Sequence, residues 1–139
     1  MKFALENPAD LRIHAYESGA ITLAVPRDLR LEELSVDPET GLCTLQAGFI
    51  LGARQLQTDW EPRALPDLTA AHLTAVLELE PEILLLGTGD RLQFPAPDIL
   101  APVHRAGVGL EVMDTAAACR TFNILVGEGR RVVAALLMI

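Results

Sequence analysis

From residue 69 onward the sequence alternates between capped, amphipathic stretches and short apolar runs, and that rhythm leaves few folds open. Thr69 caps a predicted helix to about Glu80, with Leu73, Val76 and Leu77 on one face and Glu80 at its edge. Pro81 closes it. Ile83-Leu84-Leu85-Leu86 then forms a wholly apolar run ending at Gly87, which suits a strand buried on both faces. Asp98 is the expected cap of a second helix reaching about Ala106, with Pro102 too deep for an ideal first turn and Gly107 as its release. Residues 108–113 read as the next strand. Asp114 caps a third helix through about Val126, Gly127 and Gly129 lie behind it, and residues 130–138 form a last buried strand.

Upstream, residues 11–16 alternate, Ser18-Gly19 turns, and residues 21–25 resume as a strand, a hairpin that Pro26 ends. Asp37-Pro38-Glu39-Thr40-Gly41 has turn chemistry. A further β region spans about 42–51, with Gly48 read as a bulge. Three β segments followed by three helix–strand pairs specify an α/β fold, with helices packed on a sheet and an N-terminal β-hairpin layer. Segments 83–86 and 108–113, joined by a helix, form a βαβ unit and should be parallel neighbours with a right-handed crossover.

The 139 residues show no repeat, linker or low-complexity segment, so residues 1–139 read as one domain. Half of them are apolar and 22% charged, a globular composition. Eleven basic against nineteen acidic side chains give a net charge of −8, without a basic patch; nucleic acid and anionic lipid are therefore poor partners. The longest apolar run, 132–139, has eight residues, short of the roughly 18 that span a bilayer, so no direct membrane insertion is expected. The opening Met1-Lys2-Phe3-Ala4-Leu5-Glu6 lacks the apolar run and cleavage site of a secretion signal. Cys43 and Cys119 lack the close spacing of a metal or redox pair and are expected to stay reduced, in keeping with a cytoplasmic setting.

Two glycine- and hydroxyl-bearing segments follow buried strands. Gly87-Thr88-Gly89-Asp90 lies where open α/β sheets bind ligands, because glycines there let backbone N–H groups approach. It is too short for a dinucleotide fingerprint, lacks a phosphate-loop lysine, and serves equally as a tight exit turn. Asp114 and Thr115 leave the next parallel strand on the same rim, with Arg120 and Asn123 sharing a helix face. Together these residues make a candidate cleft for an anion or carbonyl. In the structural alternative Asp114 is a helix cap worth about 1 kcal/mol, while Arg120 and Asn123 tie neighbouring loops. Glu128-Gly129-Arg130-Arg131 suggests a structural ion pair between Glu128 and Arg130, or an anion clamp. His14, His72 and His104 lack metal-ligand spacing and fit solvated helix or strand positions. Neither cysteine carries a nucleophile signature, Ser18 and Ser35 sit in turns, and Trp60 either anchors a loop or lines a surface, with packing the favoured reading. No catalytic residue, metal ligand or cofactor site emerges.

The segments 81–89 (PEILLLGTG), 94–97 (FPAP), 109–125 (GLEVMDTAAACRTFNIL) and 128–136 (EGRRVVAAL) resemble, in order and with high density, one family. It is the uncharacterised-domain family that includes the mitochondrial complex I (NADH:ubiquinone oxidoreductase) assembly factor three. Trp60 matches a tryptophan that members place ahead of the first helix, and the N-terminal hairpin matches more loosely. The resemblance implies a three-layer α/β fold around a mixed central sheet of about five strands, one of them antiparallel. It implies no established reaction and no cofactor. Phe122 stands where many relatives are expected to have tyrosine, so a catalytic phenol would be lost there while a packing role would survive. The resulting order of expectation is an interaction or assembly protein with a protein partner, then a small-molecule binder using the rim, then an enzyme.

Overall fold

The period-two alternation inside the apolar runs decides which side chain enters which core, and it places helices on both faces of one sheet. The computed structural model describes residues 9–31 and 34–139; the N-terminal residues weighed above as a signal lie outside them. Strands β1 (Arg12–Glu17), β2 (Ala20–Ala24) and β3 (Leu42–Leu45) form an antiparallel three-stranded sheet in that order. Strands β4 (Phe49–Leu51), β5 (Leu56–Gln57), β6 (Ile83–Gly87), β7 (Gly109–Met113) and β8 (Val132–Leu136) form a second sheet, ordered β5-β4-β8-β6-β7. In it β8, β6 and β7 are parallel and β4 runs against β8, so the central sheet is mixed. β6 and β7 are the parallel neighbours that the βαβ reading requires.

The helices are α1 (Ala70–Leu77), α2 (Pro97–Arg105) and α3 (Thr115–Gly127). Leu84, Leu86, Val133 and Ala135 point to one face of the central sheet, where they meet Leu73 and Val76 of α1 and Leu100 and Val103 of α2. Leu85, Val132, Ala134 and Leu136 point to the other, against Ala118, Cys119, Phe122 and Val126 of α3. Ile13, Ile21, Leu23 and Cys43 of the three-stranded sheet join that second core.

Three expectations are corrected. The β region at 42–51 is two strands in two different sheets, not one strand with a bulge. The chain passes between them at Gly48, where a Cβ would meet the Leu136 carbonyl oxygen at 2.9 Å. The expected N-terminal hairpin is present as β1 and β2, and β3 extends it to a three-stranded sheet. α1 stops at Leu77, and Glu80 takes a left-handed φ of 54° that turns the chain into β6. α2 is not capped by Asp98: Ala96 is its N-cap, Pro97 opens it, and Asp98 sits in the first turn. Proline has no N–H to satisfy and a helical φ, so it starts the helix where an aspartate would otherwise be needed. Pro102 lies within α2, which continues to Arg105.

Candidate functional site

The strand-end rim comes together as the topology dictates. β6 and β7 both end there, and β8 ends beside them, so Gly87, Thr88, Gly89, Asp114 and Thr115 are neighbours. Their polar groups, however, are turned on one another. The Thr88 N–H donates to the Met113 carbonyl at 2.9 Å, and the Thr88 hydroxyl donates to the Arg91 carbonyl at 2.7 Å. The Gly89 N–H donates to the Thr115 hydroxyl at 2.8 Å, and that hydroxyl donates to the Leu137 carbonyl at 2.7 Å. The Thr115 N–H returns to the Gly89 carbonyl at 2.9 Å. One fully buried hydroxyl thus ties the exits of β6 and β8 to the start of α3.

Gly87 is required by this knot: a Cβ there would stand 2.8 Å from the Thr115 hydroxyl oxygen and 2.8 Å from Leu136 Cδ2. Asp114 accepts from the Ala117 N–H at 2.8 Å and is the N-cap of α3.

Arg120 and Asn123 face away from the rim, toward β1. The Arg120 guanidinium donates to the Tyr16 hydroxyl at 2.6 Å. Asn123 bonds the backbone of Ile13 twice, accepting from its N–H at 2.9 Å and donating to its carbonyl at 2.9 Å. The carboxamide therefore pairs the outward N–H and C=O of Ile13 on the edge strand β1, which would otherwise be open. Arg12 adds a bond from its guanidinium to the Asn123 carbonyl at 2.8 Å. Asn123→Ala is expected to cost about 1–3 kcal/mol, because it orphans two partly buried backbone groups. Urea denaturation followed by circular dichroism reads that loss.

The expected Glu128–Arg130 pair is replaced by another. Arg130 meets Glu82 at 3.1 Å, and Glu82 also accepts the Arg131 N–H at 2.9 Å. The backbone bond from Arg131, together with Arg130, holds the Glu82 carboxyl below its ordinary range. A carboxylate 48 residues away in sequence wins because β6 and β8 run side by side.

The two thiols are free and buried. Burial pushes the Cys119 thiol up to about 12, and raises that of Cys43 as well. Neither is a thiolate near neutral pH, and only the thiolate is a nucleophile. Native protein at pH 7.5 is expected to leave both cysteines unmodified by a disulfide reagent over minutes, with both reacting once the chain is unfolded in guanidinium.

Other groups escaped the sequence reading. His72 is no solvated residue: its Nδ1 accepts from the Thr69 N–H at 2.9 Å, so it takes the capping-box position usual for glutamate. The ring edge of Trp60 lies against His72 with centroids 6.4 Å apart. Trp60 also lines a cavity of about 640 Å³ with Gly48, Asp59, Arg63 and Met138. A second cavity of about 590 Å³ lies over the three-stranded sheet, lined by His14, Thr22, Asp37 and Thr44. The only signal for the first was Trp60 itself; the second draws on residues from four separated segments and has none. Among the described residues no three His, Cys, Asp or Glu side chains converge as a metal site.

Fold and rim together define a three-layer α/β protein whose strand ends are knotted by internal hydrogen bonds. The chain belongs to the family described as "Protein of unknown function (DUF498/DUF598)", whose profile matches residues 29–137. Its fold is similar to the crystal structure of a Bordetella parapertussis protein, with a TM-score of 0.76, 32% identity, and coverage of 96% of this chain and 100% of that one. It is similar to "NADH dehydrogenase [ubiquinone] 1 alpha subcomplex assembly factor 3" of Xenopus tropicalis, 44% identical over 80 residues, covering 56% of this chain and 44% of that protein. The Bos taurus protein of the same name is 39% identical over 85 residues, covering 60% and 46% respectively. The chain thus matches less than half the length of these curated relatives. Among the described residues no helix is long and apolar enough to cross a membrane.

Proposed function

We propose that this chain works by binding other proteins during the assembly of a respiratory NADH dehydrogenase, and that it catalyses no reaction of its own. The observation that carries the reading is the closure of the rim: the Thr88, Gly89 and Thr115 donors that a ligand would need are already engaged within the protein. The relatives named as assembly factors supply the kind of partner. The two buried thiols, held protonated by burial, fit a packing role in a scaffold. The free thiols also fit a reducing compartment such as the cytoplasm.

Cross-linking in source cells, followed by purification of the tagged chain, tests this reading. Subunits or partial assemblies of the respiratory NADH dehydrogenase should co-purify. Recovery of the chain alone, with a small molecule retained in native mass spectrometry, would overturn it in favour of a ligand-binding role.

A further inference from the structure

The two long sheet edges are treated differently. On β1 Asn123 pairs the outward groups of Ile13, whereas among the described residues β7, the outer strand of the central sheet, has no such cover. Two hydrogen bonds fix which of its groups point outward. Gly109 N–H donates to the Glu82 carbonyl at 3.0 Å, and the Met113 carbonyl accepts from Thr88 N–H at 2.9 Å. Backbone groups alternate sides along a strand, so Gly109, Glu111 and Met113 face β6, while Leu110 and Val112 present their N–H and C=O groups to the free edge. Among the described residues nothing bonds them there. The strand contains no Lys, Arg or Pro, and its one charged guard against edge pairing is Glu111.

Apolar surface continues past its end. The Gln93 N–H bonds the Thr88 hydroxyl, which also reaches the Met113 carbonyl, so the loop carrying Leu92 and Phe94 lies against the carboxyl end of β7. Phe94 is 70% exposed and Leu92 50%. At the middle of the strand Glu111 is exposed and has no partner among the described residues.

We infer that β7 is a docking edge for an extended segment of a partner protein, one that adds as a sixth strand and carries a basic residue opposite Glu111 and apolar residues toward Phe94. The charge decides the occupant. A second copy paired antiparallel about Glu111 would set two carboxylates face to face at the closest cross-strand spacing, which is destabilising. A lysine or arginine there is favoured. This assignment rests on the protein-binding reading above and specifies where the partner docks.

The test uses the full chain, labelled with nitrogen-15, and a nine-residue acetylated peptide alternating valine and threonine around a central lysine. At about 1 mM peptide, a concentration that detects weak binding, the Leu110 and Val112 amides should shift and exchange at least tenfold more slowly. Replacing the central lysine by glutamate should weaken binding about threefold or more, and Glu111→Lys should restore it for the glutamate peptide. Since Glu111 is exposed, the variant should keep the wild-type thermal midpoint. Unshifted Leu110 and Val112 amides, shifts confined to another surface, loss of the charge preference, or concentration-dependent pairing of β7 with a second copy would each overturn the assignment. If the peptide fails while respiratory subunits still co-purify with the chain, only the docking edge is refuted; peptide binding without such subunits refutes the assembly reading alone.

Discussion

Phe122→Ala should lower the stability of the folded chain by about 3–5 kcal/mol, the range for deleting a buried aromatic side chain. Phe122 is fully buried and is one of the largest side chains in the core beneath α3. It meets both sheets there, so neither can collapse to fill the space without leaving the other. A loss of this size is a large part of the 5–15 kcal/mol that a domain commonly has. At roughly 2–6 °C per kcal/mol, the thermal midpoint should fall by about 10–20 °C. Phe122→Leu, which refills most of the volume, should recover more than half. A drop below about 1 kcal/mol for the alanine variant would contradict the packing role assigned to this ring.

Thr115→Val should be nearly as damaging, though it removes no volume. The change deletes one hydroxyl and leaves the Gly89 N–H and the Leu137 carbonyl buried without partners. Each orphaned group costs about 1–3 kcal/mol, so a combined loss of about 3 kcal/mol is expected. With a urea m-value of about 1–3 kcal/mol/M, the unfolding midpoint should move down by about 1–3 M at unchanged m. Thr115→Ser keeps the hydroxyl and should stay within about 1.5 kcal/mol of the parent. A larger loss in Thr115→Ser than in Thr115→Val would mean that the methyl group, and not the knot of hydrogen bonds, holds the strand ends together.

How much of this was legible in the residues depends on the range of the interaction. Asp114 as a cap, the buried run at 83–86 and the parallel β6–β7 pair are consequences of neighbours in sequence, and they appear as expected. The division of residues 42–51 between two sheets was not legible. It depends on the backbone of Leu136 approaching Gly48, which no local pattern records. Glu82 displaced Glu128 as the partner of Arg130 for the same reason, because strand order brings it closer than sequence does. The candidate site divides along this line too. Gly87, Thr88, Gly89, Asp114 and Thr115 meet because strand ends must meet, whereas Arg120 and Asn123 turn to an N-terminal strand more than a hundred residues away. Helical spacing placed those two on one face and said nothing about what that face would touch.

Polar groups at the strand ends serve the fold, and the proposed function assigns recognition to the outer surface. The most direct measurement of that account is a native gel of the respiratory NADH dehydrogenase from source cells lacking this chain, with and without its re-expression. The account predicts that partial assemblies accumulate without the chain and that the full complex returns with it, including when re-expressed as Thr115→Ser. A full complement of complex in the deletion cells, together with build-up of a metabolite that the purified chain converts, would contradict it.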